Sequence, residues 1–120
     1  MSLNKVMLIG NAGKDPDVRN TGGGKVANFT LATTERFKGR DGQQQEKTEW
    51  HNIVVWGNLA DVVENYVRKG SQLYVEGKLQ TRKYTDSQGN DRYITEINVA
   101  SLQLLGRKEE QRKPVDDGPI

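Results

Sequence analysis

Apolar side chains along this chain come in short alternating runs. Val6-Met7-Leu8-Ile9 is unbroken and closed by Gly10, which predicts a short first strand buried on both faces. From residue 25 to 37 the pattern alternates: Ala27, Phe29 and Leu31 share one side, Asn28 and Thr30 the other, as in a half-buried strand. TEWHNIVVWG, residues 48 to 57, is a third strand with Trp50, Asn52, Val54 and Trp56 on one face and His51, Ile53 and Val55 on the other. Residues 73 to 84 and 92 to 105 form two more around the turn-rich segment 85 to 91. In the first of these, parity places Tyr74, Glu76, Lys78, Gln80, Arg82 and Tyr84 opposite Leu73, Val75 and Leu79.

Between the third and fourth strands the period changes. Leu59, Val62, Val63, Tyr66 and Val67 recur at helical spacing. This predicts a helix over residues 59 to 69, capped by Asn58, with Asp61 and Glu64 early, Arg68 and Lys69 in the last turn and Gly70 closing it in left-handed geometry. The remaining stretches lack apolar periodicity. Residues 10 to 24 carry Asp15-Pro16-Asp17 and three consecutive glycines, so a loop or hairpin connection is expected. Residues 38 to 47 hold no apolar side chain and read as an exposed, mobile loop. Residues 107 to 120, RKEEQRKPVDDGPI, are charged and poor in buriable side chains, and read as a disordered tail.

The order strand, strand, strand, helix, strand, strand predicts an all-β domain over residues 1 to 106. It fits a five-stranded Greek-key barrel of the OB type with one helix between the third and fourth strands, whose faces and loops bind oligonucleotides or oligosaccharides. A length of 120 residues leaves no room for a second core. The chain has no cysteine and one histidine, which excludes disulfides, thiolate metal sites and a histidine-rich metal centre. No cofactor is implied. The longest apolar run is four residues and the first residues lack the pattern of a secretion signal, so a soluble, cytoplasmic protein is expected. Net charge is only +2, so any anion site must come from local placement of charge.

Catalytic patterns are missing. The Gly22 to Lys25 run lacks Walker spacing, Asp86 and Asp91 read as turn residues, and His51 has no second histidine to share a metal. What stands out is aromatics beside cations on polar strand faces. Trp50 and Trp56 are an even number of residues apart; Phe37 lies between Arg36 and Lys38, and Tyr84 follows Arg82 and Lys83. Aromatic rings stack on bases of any sequence while neighbouring cations hold phosphates. On that reading Lys38, Arg40, Lys78, Arg82, Lys83 and Arg92 serve the backbone of a single strand. For Trp56 and Tyr74, a place in the core or at an interface between copies accounts for the ring as well as stacking does. For Phe37, Trp50 and Tyr84 stacking is the better account.

Longer stretches carry a resemblance. NKVMLIGNAGKDPDVR, KVANFTLATTERFK, KTEWHNIVVWGNLADVVENYVRKGSQLYVEGKLQTRKYTD and QGNDRYITEI resemble the bacterial single-stranded DNA-binding proteins over residues 4 to about 106. The resemblance implies a homotetrameric OB fold that protects single-stranded DNA in replication, recombination and repair, located with the nucleoid. It implies stacking positions at Phe37, Trp50, Trp56 and Tyr84, and a subunit-interface position at His51. Tyr74, on the reading of its ring above, is a second interface candidate. Well-known members have Trp at the positions of Phe37 and Tyr84 and Phe at that of Trp56. Family members usually end in an acidic tip followed by Pro-Phe that docks on replication and repair proteins; here Asp116-Asp117-Gly118-Pro119-Ile120 keeps the acids and proline without the ring. Two other functions fit an OB fold: a dimeric, primosomal-type recruiting factor, and a nuclease with clustered carboxylates. Mass in solution separates the first, four chains of 13.5 kDa against two; cleavage of single strands with magnesium or calcium separates the second.

Overall fold

Alternation along five segments buries one side of each strand, and a sheet with one buried face must curl to cover it. The computed structural model, which describes residues 1 to 107, contains strands β1 (Val6–Ala12), β2 (Asp17–Thr21), β3 (Gly24–Lys38), β4 (Gln44–Trp56), β5 (Ser71–Thr85) and β6 (Asp91–Arg107), with helix α1 (Asn58–Tyr66) after β4. Their order in the sheet is β1-β5-β6-β4-β3-β2. Pairing of Asn11 and Ala12 with Ala32 and Leu31 brings β1 back to β3 and closes the barrel. Residues 52 to 54 of β4 run parallel to residues 96 to 98 of β6; the other ladders are antiparallel. The expected five-stranded barrel is therefore β1, β3, β4, β5 and β6, with α1 after its third strand. Residues 108 to 120, and with them most of the expected tail, lie outside the described residues.

The core is Ala27, Phe29 and Leu31 of β3, Ile53 and Val55 of β4, Leu73 and Val75 of β5, and Ile97 and Val99 of β6. In β6 the inward parity changes. Ile97 and Val99 face in, and beyond an irregularity opposite Glu76 and Gly77 the inward positions become Leu102 and Leu104. An extra residue, Ala100, between the partners of Glu76 and Gly77 accounts for the shift.

Several expectations are corrected. β1 is not buried on both faces: Val6 and Leu8 pack on the core, but Met7 and Ile9 are 60% and 57% exposed. The strand's outer side simply has nothing over it within one chain. The 10 to 24 segment contains a sixth strand, β2, paired with β3 from Asp17↔Asn28 to Thr21↔Gly24. Its single half-buried residue, Val18, left no alternation to read. Thr21 forms the turn by accepting the Gly23 N–H and donating to the Gly24 carbonyl. Half of the 38 to 47 loop is ladder, with Lys38 facing Gln44 and the turn confined to residues 39 to 43. Both faces of this ribbon meet solvent, so its strands hold by backbone pairing, Arg36–Glu46 at 2.9 Å and Thr34–Thr48 at 3.1 Å, and no apolar period marks them. Leu79, expected inside, is 50% exposed because β5 has by then left the barrel for a second ribbon.

The helix is shorter than its apolar stripe. Gly57, with φ 71°, stands at the N-cap in place of Asn58, without a side-chain cap. At the other end the backbone N–H groups are taken by tertiary partners: Arg68 donates to Ser71 Oγ, Lys69 to Asp15 Oδ1 and Gly70 to the Ala12 carbonyl. Those bonds pull the chain out of the helix after Tyr66. Gly70 does adopt φ 91°, in the turn into β5 and not at the helix end. Arg68 still reaches back to the Glu64 and Val67 carbonyls, where a cation suits the helix dipole. Ala60, Val63 and Val67 seal the barrel, while Tyr66 is 65% exposed. Lys25 of β3 ties the helix down through Asp61 at 2.7 Å and Glu64 at 2.6 Å, and these carboxylates raise its pKa.

Candidate nucleic-acid interface

Even-numbered residues of β4 point out of the barrel because the odd ones, Ile53 and Val55, fill it. Trp50 and Trp56 are therefore exposed on one face. Trp50 lies over the start of the β1–β2 connection: a Cβ on Gly13 would come within 2.4 Å of its ring and 2.7 Å of the Thr30 hydroxyl. The ring needs a glycine beneath it. Trp56 faces Val26 across the β3–β4 ladder and borders a groove of about 470 Å³.

Five strands line this groove. Asp17, Arg19 and Thr21 come from β2, Val26 and Asn28 from β3, Val54 and Trp56 from β4, Gln80 and Arg82 from β5, and Glu96 and Asn98 from β6. Glu96, only 6% exposed, receives Arg82 through both oxygens at 3.0 and 3.1 Å. The Asn98 amide donates to Gln80 at 3.3 Å, and Arg19 meets Asp17 at 3.2 Å. Arg82 also lies 5.9 Å from the centroid of Tyr84, a cation–π distance. Tyr84 faces Arg92 across the second ribbon, and Arg92 is held by Asp86 at 3.0 Å. Asp86 accepts in addition the Gln88 and Asn90 N–H groups, so it is the turn residue that its position suggested. Arg92 first, and then the Asn90 N–H, hold its carboxyl below the ordinary aspartate range.

The structure sorts the candidate residues. Trp56 and Arg82 line the groove, Trp50 continues the same face of β4, and Lys78, Tyr84 and Arg92 continue the face of β5 and β6 that bears Arg82. Lys38 shares Trp50's face of the first ribbon and Arg40 sits in its turn. Phe37 does not join them. It faces Gln45, on the side that carries Thr33, Glu49 and His51, so it occupies the opposite face of the ribbon from Trp50. Lys83 faces Tyr93 on the reverse of the second ribbon and is paired to Asp91 at 3.3 Å. His51 is half-buried, its Nε2 at 2.9 Å from the Thr33 hydroxyl. Tyr74 lies on the outer sheet beside Ile9 and donates its hydroxyl to Glu76 at 2.6 Å; that bond raises the tyrosine pKa and, with Lys5, lowers that of Glu76. Sequence reasoning missed Glu96, Asp17, Arg19 and the amides of Asn28 and Asn98. No local signal marks them, because each becomes part of the site only through a strand distant in sequence.

A closed barrel of five strands, with its helix after the third and an aromatic-bordered groove across β4, is an oligonucleotide- or oligosaccharide-binding fold. Residues 3–105 match the Single-strand binding protein family, and the chain belongs to it. It is 54% identical over 109 residues to Single-stranded DNA-binding protein 1 of Chlorobaculum tepidum, a match covering 89% of this chain and 67% of that protein. Among solved structures it is similar to a Plasmodium falciparum SSB complex with ssDNA, at 43% identity and a TM-score of 0.78, over 88% of this chain and 97% of the other.

Proposed function

We propose that this protein binds single-stranded DNA with little regard to sequence and without catalysis, sheltering exposed strands during replication, recombination and repair. The observation that carries the reading is the pair of exposed tryptophans on the outer face of β4, one beside the groove and one along from it. An unpaired base offers a flat apolar face, and stacking it on a ring is worth about 1 to 3 kcal/mol per base. A paired base has its faces covered by its neighbours in the duplex, so single strands are preferred.

Self-association belongs to the same reading. Met7 and Ile9 expose apolar surface on the outer side of β1, next to Tyr74, and an exposed apolar patch of this kind favours covering by another chain. A homotetramer that uses this sheet is the proposed assembly, with His51 at a second contact. Partner proteins of replication and repair would be met through the C-terminal segment, and the nucleoid is the proposed location.

Titration with poly(dT), followed by tryptophan fluorescence, tests the central reading. Saturable quenching is expected, with duplex DNA of equal length a poor competitor. No response to dT oligomers at low salt overturns it, and degradation of the strand in magnesium or calcium overturns the non-catalytic part.

A further inference from the structure

Glu96 is out of place in an anion-binding groove. A carboxylate in the floor repels phosphates, and burial makes its charge costly unless it is fully met. Here it is met: Arg82 spans both oxygens in a bidentate fork, the geometry in which guanidinium and carboxylate bind most strongly. Asp17 is matched by Arg19 through a single, exposed contact at 3.2 Å. The charged side chains lining the groove are thus two arginines and two carboxylates, with a formal sum of zero. The rest of the lining is a tryptophan, two valines, a threonine and three amides.

Handing Arg82 to a phosphate would strand a buried carboxylate, which is strongly unfavourable. Lys38, Arg40 and Lys78 are different, since none forms an ion pair with the described residues. We propose that Glu96 is a positioning residue that withholds Arg82 from the DNA backbone, leaving the groove an electroneutral floor for bases while the phosphates follow the unpaired cations outside it. Arg82 then acts through its plane, set beside the Tyr84 ring, and not through its charge. The inference rests on the single-strand reading and refines it, because it separates the surface that takes bases from the one that takes phosphates.

Salt dependence separates the two uses of an arginine. For single strands the logarithm of the binding constant falls against log salt by about 0.7 per phosphate neutralised. The slope is measured with a dT oligomer for the wild type, Glu96→Gln, Arg82→Gln, the double variant and Lys78→Gln. Glu96→Gln keeps the shape of the side chain and removes its charge, so the freed Arg82 takes a phosphate and the slope steepens by about 0.7. A tenfold rise in salt then costs this variant about fivefold more affinity than it costs the wild type. The double variant returns to the wild-type slope, Arg82→Gln leaves it unchanged, and Lys78→Gln makes it shallower by about 0.7.

An Arg82→Gln slope as shallow as that expected for Lys78→Gln overturns the proposal, as does a Glu96→Gln slope equal to wild type. An unchanged slope in Lys78→Gln overturns the assignment of phosphates to that lysine. If Arg82→Gln does not fold, Glu96→Gln and the double variant decide, since neither leaves a buried charge alone. A wild-type protein that bound no dT at all would overturn the single-strand reading and this inference with it. Binding with the wrong slopes overturns this inference alone.

Discussion

A single missing methyl group decides where Trp50 can lie. Gly13→Ala would place a carbon 2.4 Å from the Trp50 ring as it stands, so the ring must move. Weaker oligo(dT) binding and a shifted tryptophan emission are the expected outcomes, and unchanged values for both would mean that the ring's seat does not matter. Direct removal should cost more. Trp50→Ala and Tyr84→Ala are each expected to lose about 1 to 3 kcal/mol of dT binding, the range for one stack. Phe37→Ala should lose less with short oligomers, because Phe37 occupies the other face of its ribbon; equal losses would mean that the strand crosses the ribbon edge. Charge at the second hairpin makes a separate prediction. Arg92 and the Asn90 N–H hold the Asp86 carboxyl below its ordinary value, so its contribution to the turn is complete above the unfolded aspartate pKa and is lost as pH falls through the lower, folded one. An NMR titration should find Asp86 protonating below the ordinary aspartate range, and Arg92→Gln should move that midpoint upward.

Elements differ in how openly the sequence announces them. The helix shows this in both directions, because its apolar stripe is visible and its end is not. Val63→Asp should destabilise by about 3 kcal/mol or more, the scale for a carboxylate buried without a partner, whereas Tyr66→Asp on the exposed side should change little; urea denaturation of both variants checks the assignment. Periodicity alone puts Tyr66 on the apolar stripe, since it cannot register that the helix ends there, where Asp15, Ser71 and Ala12 draw the chain away. The same limit hid β2 and the ribbon halves of β3 and β4. A strand that buries one face writes its period into the sequence, as residues 27, 29 and 31 do, but a strand held by backbone pairing between two wet faces writes nothing. The site divides along that line. Trp50 and Trp56 were legible because large rings on a polar face are conspicuous, while Glu96 looks like any other strand acid until Arg82 is seen to reach it diagonally from the neighbouring strand.

On the scale of the whole molecule, the exposed side of β1 sets an expectation for mass. Ile9→Asp should shift sedimentation toward smaller assemblies at micromolar protein while leaving the barrel folded, because Ile9 contributes nothing to the core; a wild-type mass would move the proposed contact elsewhere. The pairing pattern also divides the barrel in two. β1, β5 and β6 form one three-stranded half and β2, β3 and β4 the other, each with long ladders inside. Among the described residues the ladders that join them are short, two residue pairs along β1–β3 and three along β4–β6. Such a body is a clamshell with two short seams, and these are the lines along which its halves can part. The groove straddles the β4–β6 seam, with Val54 and Trp56 on one valve and Arg82, Glu96 and Asn98 on the other. A strand lying across both valves would staple them shut, so deuterium uptake at residues 52 to 54 and 96 to 98 should slow when dT is bound. In that arrangement the nucleic acid guards its guardian, and the protein is most readily unfolded when it has nothing to protect.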